Sequence, residues 1–165
     1  MTLRVAKTLL VFGAAVFYTF LVFNNVTDYE SNHQFIRHVL MMDSTFPGNR
    51  GMWRAINQPV VHTLFYVMII TCQFLTMILC WWGGVRLVKA LQASAARFRE
   101  ARSVAIAALT LSLLMWLVAF LSVGGEWFLM WQSKTWNGQD AAFRMFTVIG
   151  IVLIILVQPE AQEGD

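Results

Sequence analysis

An all-α, polytopic membrane protein, with four transmembrane helices and a long, partly helical first outer loop, is the fold class that this sequence predicts. Four apolar stretches carry the prediction: residues 7–23, 60–82, 104–123 and 145–157. A hydrocarbon core about 30 Å thick needs roughly 20 apolar residues of α-helix, somewhat fewer where the end residues snorkel. Lipid offers the backbone no partner, so each stretch must satisfy its own N–H and C=O groups as a helix. Composition agrees. Hydrophobic residues make up 58% of the chain and charged residues 13%, against about 25% charged in soluble domains. Residues 1–165 read as one membrane domain, with no separate soluble part.

Arg4 and Lys7 flank the first stretch as they would a secretory signal. Phe20-Leu21-Val22-Phe23-Asn24-Asn25 offers no small-residue cleavage site, so the stretch reads as a retained anchor. The link that follows, residues 24–59, is longer than a helical hairpin needs. Ser31 stands three residues before Gln34, a capping-box spacing, and Phe35, Ile36, Val39 and Leu40 follow at helical period. A short amphipathic helix from about Asn32 to Met42 is expected. Phe46-Pro47-Gly48-Asn49 reads as a turn, Trp53 and Ile56 as a small apolar patch, and Pro59 suits the first turn of the next helix.

The second stretch holds both cysteines, Cys72 and Cys80. Eight residues of helix separate them by about 12 Å, whereas a disulfide needs Cα atoms within about 7 Å. They read as small buried apolar residues. Gln73 reads as an interhelical hydrogen-bonding group, since an unpaired amide in lipid is costly. The link at 83–103 carries Arg86, Lys89, Arg97, Arg99 and Arg102 against Glu100 alone. Val85, Val88, Leu91, Ala95 and Phe98 form an apolar stripe, which predicts either helices that outrun the membrane and turn near Ala93–Ala96 or a basic amphipathic helix lying on the inner surface. With Arg4 and Lys7, this link is the densest basic group, so both termini are expected in the cytoplasm. The acidic tail, Glu160, Glu163 and Asp165, has little weight in that assignment. Trp81 and Trp82 suit an inner aromatic belt.

Small residues suited to close helix packing are Gly13, Ala14, Ala15, Ala105, Ala107, Ala108 and Gly150. The second outer link, residues 124–144, is rich in tryptophan. Trp127 and Trp131 would share a face if the third helix continued past Gly124-Gly125. These rings, with Trp136, suit either a headgroup-level belt or a packed cap over the first link's helix. Glu126 and Arg144 stand at similar depth and are expected to pair.

Known chemistries find little footing. His33 and His38 lie about 140° apart on a helix, a poor geometry for chelation. Asp28, Glu30 and Asp43 share no ligand spacing, and His62 is the one histidine at a depth suited to haem. There is no Cys-x-x-Cys pair, no Gly-x-Ser-x-Gly elbow and no glycine-rich phosphate loop. No metal or other cofactor is therefore expected, and no enzymatic reaction. The net charge of +3 is spread along the chain, which argues against nucleic acid as a partner. Asn25-Val26-Thr27 matches a glycosylation pattern but lies too near the membrane to be read as more than chance.

Two runs are distinctive. Asn24-Asn25-Val26-Thr27-Asp28-Tyr29 leads to Met42-Asp43-Ser44-Thr45-Phe46-Pro47 and Trp53-Arg54-Ala55-Ile56. Glu126-Trp127-Phe128-Leu129-Met130-Trp131-Gln132-Ser133 leads to Trp136-Asn137-Gly138-Gln139. In these runs, and over nearly its full length, the chain resembles a bacterial family of predicted small integral membrane proteins, domain of unknown function 2165. The resemblance implies a four-helix protein of the bacterial inner membrane, with no assigned reaction, whose two outer links form the signature surface. A looser likeness to claudin-type proteins fails because their paired loop cysteines are missing here. The expectation is a non-enzymatic accessory, assembly or interaction subunit, in contact with the lipid bilayer and with a membrane-protein partner or further copies of itself. Its candidate outer surface comprises Asp28, Tyr29, Phe46, Pro47, Trp53, Arg54, Glu126, Trp127, Trp131, Trp136 and Asn137. The alternative is a small oligomeric transporter or channel.

Overall fold

The computed structural model describes residues 1–159, which leaves the acidic tail, Glu160, Glu163 and Asp165, outside the described residues. Its helices are α1 (Thr2–Thr27), α2 (Tyr29–Met41), α3 (Pro59–Ala90), α4 (Ala95–Ala101), α5 (Ser103–Leu114) and α6 (Gln139–Val157). A π-helical stretch, Met115–Trp127, continues α5, and single 3₁₀ turns lie at Met52–Arg54 and Met130–Gln132. Four helices are long and apolar enough to cross a membrane: α1, α3, the run Ala95–Trp127, and α6. The chain is an all-α polytopic membrane protein.

Why these helices associate is visible in what they bury. Along α1 a line of buried or part-buried positions runs through Arg4, Lys7, Val11, Ala14, Tyr18, Leu21 and Asn25. Along α3 a similar line runs through His62, Tyr66, Ile69, Gln73, Thr76, Cys80, Gly83, Leu87 and Ala90. Alternating steps of three and four residues are the repeat that keeps one seam facing a neighbour in a left-handed bundle. Phe98, Ala101, Ala105, Ala108, Ser112 and Met115 continue the pattern in the third span, and Ala142, Met145, Ile149, Val152 and Leu156 in α6. α1 packs on α3, α3 on α5, and α6 on both α5 and the π stretch, closing against α1.

Two helix backbones come close at the basic end, where a Cβ built on Gly83 would stand 2.8 Å from the Ala105 backbone. One on Gly84 would meet the Phe12 ring at 2.7 Å. These glycines, rather than Gly13 or Ala107, are the small residues that matter: Gly13 has no neighbour within 4 Å of a Cβ, and Ala107 is exposed. Ala14, Ala15, Ala105 and Ala108 are buried as expected. α3 and α4 turn at Leu91–Ser94, with the Ser94 hydroxyl capping α4 at the Arg97 N–H.

Basic side chains at this end point inward. Arg4 donates to the carbonyls of Leu91 (3.1 Å) and Ala93 (2.6 Å) and lies over the Phe98 ring. Lys7, fully buried, donates to the Gln158 carbonyl at 2.6 Å. Arg102 donates to Leu156 and Gln158 at 2.7 and 2.8 Å. Cations at the C-terminal ends of α3 and α6 meet carbonyls that have no intrahelical donor.

At the opposite end α2 folds back after a single break at Asp28, whose N–H bonds to the Asn24 carbonyl. The Ser31–Gln34 capping box does not form. α1 runs on to Thr27, so α2 starts three residues earlier than expected, and Gln34 bonds instead to Glu30 at 2.5 Å. The expected turn is present, with the Asn49 N–H on the Phe46 carbonyl and Gly48 at φ +76°.

Candidate functional site

The two links at this end are built into one cap. Beneath it, Ile36, Val39, Leu40 and Met42 pack with Tyr66, Phe128 and Met130 as a second apolar core. The cap is tied by hydrogen bonds between distant segments. The Ile56 N–H bonds to the Leu40 carbonyl at 2.9 Å, and His62 Nε2 holds the Ile56 carbonyl at 2.8 Å, so this histidine is a structural clasp. Ser44 Oγ donates to Ser133 Oγ at 2.8 Å, and Ser133 Oγ accepts from the Thr135 and Trp136 N–H groups. Gln132 Oε1 accepts from the Phe46 N–H (3.1 Å) and from Asn49 Nδ2 (3.2 Å).

Gln132 and Ser133 were not among the expected surface residues, although they join the two links. Ser133, two to three residues before the backbone groups it bonds, is a local turn signal that sequence reading can use. Gln132 carries no comparable signal, because its partners lie more than eighty positions away.

Most of the candidate residues come together on this cap. Trp53 and Trp127 meet edge to face at 5.7 Å. Arg54 lies against both, 5.6 and 5.3 Å from the two ring centroids, and donates to the Trp127 carbonyl at 2.8 Å. Phe46 and Trp131 meet edge to face at 5.8 Å. Trp136 stacks on His38 at 4.6 Å and meets Phe35, while His38 Nδ1 bonds to Asp43 at 2.7 Å. Tyr29 packs on His33 and Tyr66. Pro47 sits in the turn beside Phe46, Asp28 at the α1–α2 break, and Asn137 Oδ1 accepts from the Gln139 N–H at 3.0 Å, just ahead of α6.

Two expectations fail here. Trp127 and Trp131 do not share a helical face: Leu129 takes a left-handed backbone (φ +55°) between them and the helix ends. Each ring is therefore paired with a different residue of the first link. Glu126 and Arg144 are both exposed, and among the described residues no ion pair joins them. The Glu126 backbone carbonyl instead receives a long contact from Arg54, at 3.4 Å.

Inside the membrane span, Asn25 Nδ2 donates to Gln73 Oε1 at 2.7 Å, and the Tyr66 hydroxyl donates to the Asn25 carbonyl at 2.9 Å. Gln73 is thus an interhelical bonding residue, and Asn25 is buried against it. Deeper, Trp116 Nε1 donates to the Tyr18 hydroxyl at 3.0 Å, and Tyr18 bonds to Ser112.

A family described as predicted small integral membrane protein, domain of unknown function 2165, matches residues 3–159. The chain belongs to that family. Its match takes in all four spans and both links of the cap, so the bundle and its aromatic surface are parts of one family unit. No curated protein and no solved structure matches the chain.

Proposed function

We propose that this member of the family is a non-enzymatic accessory or assembly subunit of a bacterial inner membrane, which meets a membrane-protein partner through the cap. One observation carries the reading: large apolar rings stay exposed while being held in fixed mutual geometry. Trp53 is 74% exposed and Phe46 53%, with Trp127 and Trp131 close behind. Arg54 and Gln132 pin the segments that bear them. Ordered, exposed aromatic rings around an arginine have the composition of binding hot spots, and their rigidity lowers the entropy cost of association.

In this reading the cap faces outward and the basic end lies in the cytoplasm, which the lysine and arginine bias supports. The transporter alternative leans on Gln73, whose oxygen is already engaged in a packing bond with Asn25.

Extraction in mild detergent, with mass spectrometry of the native complex, tests the partner. A stoichiometric membrane protein is expected with the wild type, and at least tenfold less of it with Trp53→Ala/Trp131→Ala. The basic-end variant Trp82→Ala should retain it. A homogeneous, partner-free wild type would end the proposal. For orientation, Thr135→Cys in a background without Cys72 and Cys80 should react with an impermeant maleimide in cells whose inner membrane is intact. Ala96→Cys should react only after that membrane is permeabilised, and the reverse pattern would invert the assignment.

A further inference from the structure

We propose that the cleft between α3 and the third span holds one acyl chain of a bilayer lipid, with its end beneath α2. This inference is independent of the partner reading.

At the basic end α3 and α5 touch backbone to backbone through Gly83 and Ala105. Toward the cap the third span changes to the π stretch, its walls part from α3, and α2 forms the roof. A cavity of about 200 Å³ lies there, between Phe65 and Met68 of α3, Val118 and Val123 of the π stretch, and Ile36 and Leu40 of α2. Every side chain lining it is apolar.

It does not end inside the protein. A groove of about 340 Å³ shares Met68, Ile69, Val118 and Ala119 with it and continues past Cys72 and Leu114. Met68, Val118 and Leu114 are exposed on the flank of the bundle, so the mouth lies on the surface that faces lipid. Met68 to Cys72 is roughly 13–20 Å of helix from Pro59, within a hydrocarbon layer about 30 Å thick.

Chemistry at that depth selects the occupant. A polar group would find no hydrogen-bonding side chain in the lining, and water is poorly held in an apolar cavity. A lipid chain is the apolar species present at the mouth, and filling the space restores dispersion contacts along the walls. Met68 and Met130 give the lining adaptable surfaces. A neighbouring chamber, which holds the amides Asn25, Asn32 and Gln73, lies behind Phe35, Ile36, Ile69 and Phe120. Hence the site takes a chain rather than a headgroup.

The test uses the full protein in vesicles of phosphatidylethanolamine and phosphatidylglycerol, doped with phosphatidylethanolamine bearing a diazirine at the end of one chain. After irradiation, adducts are mapped by mass spectrometry. Adducts on Ile36, Leu40 or Phe128, beneath the cap, are expected beside those on the outward residues Ile151 and Ile154 of α6. Ala119→Trp, or Val123→Phe should the first not fold, fills the cavity and should lower the adducts under α2 at least tenfold, with those on α6 unchanged. Wild-type adducts confined to outward faces would overturn the proposal. So would labelling under α2 that the filled variants leave unaltered.

Discussion

Two amides facing each other inside a membrane span hold a small part of this fold to one arrangement. Asn25 and Gln73 are each almost fully buried and share a 2.7 Å bond. Gln73→Leu leaves Asn25 without that acceptor, with an expected cost of about 0.5–2 kcal/mol. Unfolding in mixed micelles titrated with sodium dodecyl sulfate measures it, and Asn25→Leu/Gln73→Leu should cost less than the sum of the single changes. Strict additivity would show that the bond contributes nothing. Gln73 was legible in the sequence because a lone amide among apolar residues needs a partner. Asn25 was not: it stands two residues past an apolar stretch and read as loop, yet the helix runs on to Thr27. Tyr18, Ser112 and Trp116 went unnoticed as a group because each alone is common in membrane helices.

Each span has a seam, and glycines on and off it differ in what a side chain would meet. Gly83→Ala pushes against the Ala105 backbone, which has nowhere to move, and is expected to cost about 1–3 kcal/mol. Gly84→Ala presses only on the Phe12 ring and should cost less, while Gly13→Ala meets nothing and should be neutral or stabilising through helix propensity. The same micelle titration orders the three, and equal effects would contradict the packing. At the C-terminal end of α6, Arg102→Met removes donors from the Leu156 and Gln158 carbonyls. Faster hydrogen exchange in the last turn of α6, with the middle of α3 unchanged, is the expected sign. The three-four seam was present in the sequence but masked, since lipid-facing positions between seam residues are apolar too. The π stretch had no such pattern. It shows in structure as i→i+5 bonding, such as the Phe128 N–H on the Val123 carbonyl at 2.9 Å.

Taken whole, the molecule is a bundle closed by a cap, and the parts depend on each other unequally. Four spans were legible because hydrocarbon thickness and backbone satisfaction leave a long apolar stretch few choices. That the two links would interlock was legible only as a surplus of rings. Their pairing rests on partners far apart in the chain, and on a left-handed residue, Leu129, that a bulky apolar side chain gives no reason to expect. Trp136→Ala strips the stacked ring from His38 and should loosen α2 as a unit. Amide exchange in α2 is expected to rise severalfold while the α1–α3 seam stays protected; a uniform rise throughout would mean that cap and bundle unfold together.

The inward-turned cations carry a consequence for the order in which the chain is made. Lys7 is synthesised 151 positions before the carbonyl it binds, and Arg102 lies 54 positions ahead of Leu156. Until α6 is made, the carbonyls that receive these two charges in the folded protein do not exist. The last helix therefore completes the seats of both charges. Before that moment the basic end of the bundle is unfinished.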